Sequence, residues 1–203
     1  MSELVLFHSV LGVRPAVLSW AERLRSAGHV VHVPDLYGGP VFDSYEEANE
    51  FVQAFGSYPE LLRRTAAAVE DLRPDLVYAG FSNGAGGAAY LVTARRGARG
   101  ALLMHGVLPL AVIEQVTGEP AAWPASVPAQ VHYARDDKFR QESSVQSFIG
   151  ELHSAGATVE YFEYPGDGHL FADSSLPDEF DEDAAELMWG RTLEFLARTD
   201  AVR

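Results

Sequence analysis

Cysteine is absent from the 203 residues. Disulfides, thiolate metal sites and a cysteine nucleophile are excluded together, and the usage fits a reducing compartment. Cations are scarce as well: 15 Lys and Arg stand against 29 Asp and Glu, for a formal net charge of −14, and Lys138 is the sole lysine. A field of that sign repels phosphate backbones and anionic lipid, so neither nucleic acid nor a membrane surface is expected as a partner. No apolar run approaches the ~20 residues of a membrane span. Met1–Val10 also lacks the basic start and long apolar stretch of a secretory signal. A soluble cytoplasmic protein is the expectation.

What is present is ordinary globular material, 47% hydrophobic and 22% charged. The length suits one domain over 1–203, long enough to bury a sizeable core without a staple. Short apolar runs at Leu4–His8, Val30–Val33, Leu76–Ala79, Ala101–Met104, Val131–Ala134 and Thr158–Tyr164 read as six strands. Between them lie segments of helical period: Pro15 to about Leu24, a helix opened by a Ser44-x-x-Glu47 capping box, Pro59–Leu72, Gly84–Arg95, and one opened by Ser143-x-x-Gln146. Ala184–Ala197 closes the chain. Strands apolar on both faces, alternating with helices, predict a parallel sheet covered on both sides. The proline-rich stretch Pro109–Pro128 reads as an elaborated crossover.

Gly80-Phe81-Ser82-Asn83-Gly84 has the form G-x-S-x-G between a strand and a helix. A serine on such a sharp turn needs small residues two before and two after it. The helix start also aims backbone N–H groups at the serine oxygen, where negative charge would develop. The competing reading is a glycine-rich turn with an incidental serine. A serine nucleophile needs a base, and the base an orienting acid. Among later histidines, His105 and His132 belong to strands or their ends, and His153 to a solvated helix face. His169 lies in Pro165-Gly166-Asp167-Gly168-His169, a loop at the carboxyl edge of the sheet where catalytic groups converge. Asp136 and Asp137 both follow the fifth strand, and the pattern leaves the choice of acid between them open.

These pieces resemble the dienelactone hydrolase family of α/β-hydrolases over nearly the whole chain. They are Leu-Gly-Val at 11–13, Pro-Asp-Leu-Tyr at 34–37, Gly-Phe-Ser-Asn-Gly-Ala-Gly-Gly at 80–87, His-Tyr-Ala-Arg-Asp-Asp-Lys-Phe at 132–139, Tyr-Pro-Gly-Asp-Gly-His-Leu-Phe-Ala at 164–172, and Arg-Thr-Leu-Glu-Phe-Leu at 191–196. The resemblance implies an α/β-hydrolase fold with a compact, mostly parallel sheet of six to seven strands and helices on both faces. It implies Asp137 as the acid, and backbone N–H groups of Val10 and Asn83 as the oxyanion hole. Three departures stand out. Ser82 replaces the cysteine of the best-known members, Ser9 stands where some carry an acid, and Asp173 stands where a carboxylate-clamping arginine would be.

The expected activity is thus a serine hydrolase of small, neutral esters or lactones. Ser82 attacks, His169 acts as base and Asp137 orients it, without a cofactor. Tyr37, Phe42, Phe81, Trp123, Phe139 and Phe171 are candidates to line the pocket, core packing being the alternative for each. A non-catalytic small-ligand-binding protein on the same fold is the rival reading. A metal site on His8, His105 and His169 lacks the close ligand pair such sites use. The acidity is local: the stretch Gln141–Gly190 carries twelve acids and no Lys or Arg. It follows His169 and is expected to border the site and turn anions away.

Overall fold

The computed structural model describes residues 1–201. Six strands, β1 (Glu3–Phe7), β2 (Val30–His32), β3 (Val77–Phe81), β4 (Gly100–Met104), β5 (Ala129–Ala134) and β6 (Val159–Tyr164), form one sheet in the order β2-β1-β3-β4-β5-β6. Every adjacent pair is parallel. β3, β4 and β5 are buried along their whole length, whereas the edge strands β2 and β6 are only partly covered. This is why the inner strands read as unbroken apolar runs.

Seven helices connect and cover the sheet: α1 (Pro15–Ser26), α2 (Tyr45–Ala54), α3 (Ser57–Ala67), α4 (Asn83–Ala94), α5 (Leu110–Thr117), α6 (Glu142–Ser154) and α7 (Glu182–Ala201). The chain moves one way across the sheet from β1 to β2 and the other way from β2 through β6. Right-handed crossovers therefore put α1 on one face and α2–α6 on the other. α7 returns to the α1 face, where Trp189 packs edge-on against Trp20 at 5.3 Å. The direction reverses between β1 and β3, and the crevice beyond the carboxyl ends of those two strands is where such sheets bind ligands. The N-terminus meets α7: the N-terminal ammonium pairs with Asp200, which also accepts from Ser2 Oγ at 2.8 Å.

Local signals set most element ends. Pro15 occupies the first turn of α1, and Ser44 Oγ accepts from the Glu46 and Glu47 N–H groups to cap α2. Four expectations need correction. α6 starts at Glu142 after Gln141, because Ser144 and Val145 N–H both bond the Gln141 carbonyl, so Ser143 lies inside the helix and caps nothing. α3 ends at Ala67, beyond which tight turns to Leu72 replace α-helical bonding. The 109–128 crossover contains α5, stopped by Gly118 in the left-handed conformation. β3 runs on to Phe81, so it delivers Ser82 directly.

Candidate active site

Ser82 sits on the turn between β3 and α4 with φ 52° and ψ −113°, a strained conformation for a non-glycine residue. Two close approaches hold it there. A Cβ on Gly80 would lie 2.2 Å from the Gly84 backbone, and one on Gly84 would lie 2.5 Å from the His8 carbonyl oxygen. Only glycine fits at both positions, so the G-x-S-x-G pattern is a packing requirement of the turn. The Ser82 N–H donates to the Met104 carbonyl at 2.8 Å, which ties the turn to the end of β4.

His169 arrives from the loop after β6 and is buried. Its Nδ1–H donates to Asp137 Oδ2 at 2.7 Å, and its Nε2 accepts from Ser82 Oγ at 2.8 Å. The carboxylate is acceptor-only, so it fixes the proton on Nδ1 and leaves Nε2 to receive one. Asp137 is buried, and its Oδ1 accepts from the Phe139 N–H at 2.8 Å, which locks the carboxylate rotamer. Asp136 is exposed, and its N–H bonds the Gly166 carbonyl at 3.0 Å. The structure thus brings Ser82, His169 and Asp137 together and leaves Asp136 outside.

A cavity of about 380 Å³ opens over Ser82, with Val10, Asn83, His105, Tyr45, Tyr58 and Phe139 among its walls. Val10 follows β1 and Asn83 begins α4, and neither backbone N–H has a protein acceptor among the described residues. No Asp, Glu, Lys or Arg lines the cavity among the described residues. Lys138 stands outside it, its Nζ 5.0 Å from the Phe139 ring and 5.8 Å from that of Tyr45.

Of the aromatic residues expected in the pocket, Phe139 lines this cavity. Tyr37, Phe81 and Phe171 do not, because each is buried in core packing. The Tyr37 hydroxyl donates to the Val10 carbonyl at 3.0 Å, so it props up the loop behind the cavity. Phe81 points to the α1 face, 5.8 Å from Trp20, and Phe171 packs between His105 and Tyr164. Phe42 stacks near Phe51 at 5.2 Å, and Trp123 packs on Phe148 at 5.5 Å. Tyr45, Tyr58 and Tyr133 line the cavity instead. Tyr45 directly follows the α2 cap, the one signal that placed it at a helix start; for Tyr58 and Tyr133 the sequence offers none.

His105 is 1% exposed, has φ 62°, and neither ring nitrogen has a hydrogen-bond partner. Burial, with His169 and His132 adding to it, holds its pKa well below the usual histidine value. His8 is committed elsewhere: Nδ1–H donates to the Ser9 carbonyl and Nε2 accepts from the Leu36 N–H. His8, His105 and His169 form no ligand group, and no cluster of three or more His, Asp or Glu able to hold a metal occurs among the described residues.

The acidic segment folds back onto this region. Glu179 Oε2 accepts from the Leu170 N–H at 2.7 Å and from the Tyr45 hydroxyl at 2.9 Å, joining the histidine loop to α2. Asp173 is buried and paired at 3.1 Å with Arg14, which is itself 4% exposed and also bonds the Phe42 and Ser175 carbonyls. The carboxylate at position 173 is thus already neutralised from within. No described helix is long and apolar enough to cross a membrane.

Comparison with solved structures identifies the same architecture throughout. A dienelactone hydrolase-like promiscuous phosphotriesterase from metagenomic libraries matches with a TM-score of 0.80 at 17% identity, over 98% of this chain and 87% of that one. An α/β hydrolase enzyme from a Medee basin deep-sea metagenome matches with a TM-score of 0.64 at 14% identity, over 98% and 84%. A thermophilic esterase from Thermogutta terrifontis matches at 0.60 and 19%, over 97% and 83%. These structural overlaps establish the α/β-hydrolase fold. No curated protein sequence gives a significant match. The dienelactone hydrolase family model matches residues 2–199: the chain belongs to the dienelactone hydrolase family and is a hydrolase of ester bonds on the α/β-hydrolase fold.

Proposed function

We propose that the protein cleaves small, neutral esters or lactones through Ser82, His169 and Asp137. The carrying observation is the unbroken hydrogen-bond chain from Ser82 Oγ through His169 to Asp137, at 2.8 and 2.7 Å. Ser82 Oγ attacks the acyl carbon while its proton passes to His169 Nε2. The bond to the alcohol then breaks, and His169 returns that proton to the leaving oxygen. Asp137 stabilises the imidazolium formed in between. The Val10 and Asn83 N–H groups face the developing oxyanion, each such donor being worth on the order of 10²–10³ in turnover. Water, activated by His169, releases the acyl group and regenerates Ser82.

Neutral substrates fit a cavity wall without charged side chains. A carboxylated ester would find no arginine clamp, since Asp173 is buried beside Arg14. Ser82→Ala and His169→Ala are each expected to lower kcat on short neutral esters by roughly 10⁴-fold or more. Matched neutral and carboxylated esters should differ in kcat/KM in favour of the neutral one. Full activity in Ser82→Ala, or a preference for the carboxylated ester, would overturn the respective part of the assignment.

A further inference from the structure

The Tyr58 hydroxyl is a polar group of the cavity that the chemistry above leaves unused. Tyr58 lies near the start of α3, is partly buried, and lines the cavity beside Ser82, Asn83 and Gly86. Its hydroxyl makes no hydrogen bond to a described residue, whereas of the other two tyrosines lining the cavity, Tyr45 donates to Glu179 and Tyr133 bonds the Val107 backbone. The seat for it is built into α4: a Cβ on Gly86 would stand 2.1 Å from the Tyr58 oxygen. Gly86 lies within the helix, where alanine is the better former, so helix propensity is given up where the phenol approaches. Burial pushes the phenol pKa up, which keeps it a protonated donor.

The two walls of the cavity stand beside different parts of the proposed machinery. The Phe139 and Tyr45 rings lie 4.8 and 5.8 Å from the ring of His169, the group proposed to protonate the leaving alcohol. In that chemistry the leaving group would lie against this wall. Tyr58 stands against Gly86, three residues along α4 from Asn83, the proposed oxyanion donor. The acyl chain, directed away from His169, would run along this second wall. A plain alkyl chain there would strip water from the hydroxyl and leave it unpaired, whereas an oxygen on the chain would pair with it.

We infer that Tyr58 is a substrate-binding residue whose hydroxyl hydrogen-bonds an oxygen on the acyl chain, so that the preferred substrates are hydroxyacyl or oxoacyl esters and lactones. This rests on the Ser82 chemistry proposed above. The readout is the ratio of kcat/KM for p-nitrophenyl 3-hydroxybutyrate to that for p-nitrophenyl butyrate, in wild type, Tyr58→Phe and Gly86→Ala. Wild type is expected to favour the hydroxy ester. Each substitution is expected to lower the ratio about tenfold, Gly86→Ala because its methyl displaces the phenol. Thermal melting and fluorophosphonate labelling of Ser82 are read on the same samples. A folded, labelled Tyr58→Phe with an unchanged ratio overturns the inference and leaves the Ser82 assignment standing. So does an equal loss on both esters, because the hydroxyl would then serve the ester group they share. Wild type that is neither labelled nor active on either ester overturns both.

Discussion

At the scale of single residues, Asp137 uses both carboxylate oxygens, one on His169 Nδ1 and one on the Phe139 N–H. Asp137→Asn would keep the shape and lose the preference for the Nδ1–H tautomer. The expected outcome is a fall in kcat of about 10⁴, measured by steady-state hydrolysis of a short p-nitrophenyl ester, with a folded protein by circular dichroism. The positions of Ser82 and His169 were legible because each follows a strand at the carboxyl edge, one in a glycine-framed motif. The choice of Asp137 over Asp136 came from family resemblance, since neither periodicity nor turn chemistry separates adjacent residues beyond a strand end. The cavity wall was much less legible. Tyr45 and Tyr58 reach it from the first turns of α2 and α3, a placement set by how those helices pack, and Tyr37, Phe81 and Phe171 have the same composition signal but core positions.

Among elements, the contact of α4 with β1 decides whether the nucleophile turn closes. A Cβ on Gly84 would press on backbone oxygens of both Phe7 and His8, at 2.6 and 2.5 Å, with no flexible side chain to yield. Gly84→Ala is therefore expected to destabilise by about 2 kcal/mol or more, read as a lower urea midpoint at constant slope. Arg14 performs a comparable role between loops: it joins the segment after β1 to Phe42 and Asp43 and to the stretch after His169. Its partner Asp173 is also buried, so Arg14→Met leaves a carboxylate held only by the Ser175 N–H and hydroxyl, without its counter-charge, at a cost of about 3–5 kcal/mol. The same denaturation experiment measures it, and a near-neutral result would show that the Ser175 hydrogen bonds suffice to hold the Asp173 charge. Strand existence and order of elements were readable from apolar runs. Boundaries moved where tertiary hydrogen bonds took over, as at Gln141, and α5 was hidden inside a proline-rich stretch whose Pro109 and Gly118 are its two ends.

Over the whole molecule, the acidity that first argued against polyanionic partners is distributed in a structured way. Asp173, Glu186 and Glu160 of the acidic stretch pair with Arg14, Arg23 and Arg198 from outside it. The surface pairs among these contribute little each, and no charged side chain among the described residues lines the cavity. From pH ~7 down to the carboxylate range, pH acts on the fold through buried histidines. His132 is held neutral between Gln130 and Tyr164, and burial, helped by Arg191, brings its pKa down to about 3. Below the ordinary histidine value of ~6.5 the unfolded chain takes up a proton that the folded His132 refuses, so stability falls with pH over that window. His105 shifts in the same direction. Denaturation midpoints should therefore be flat above pH ~7 and drop progressively towards pH ~4, and His132→Gln should flatten the drop. One serine, activated by His169 and Asp137, is proposed to carry the hydrolysis. Treating the protein with a fluorophosphonate and mapping the adduct by mass spectrometry tests it most directly. One adduct per chain on Ser82, absent in Ser82→Ala and formed far more slowly in His169→Ala, is the predicted result; an adduct elsewhere, or none in an active enzyme, would contradict it.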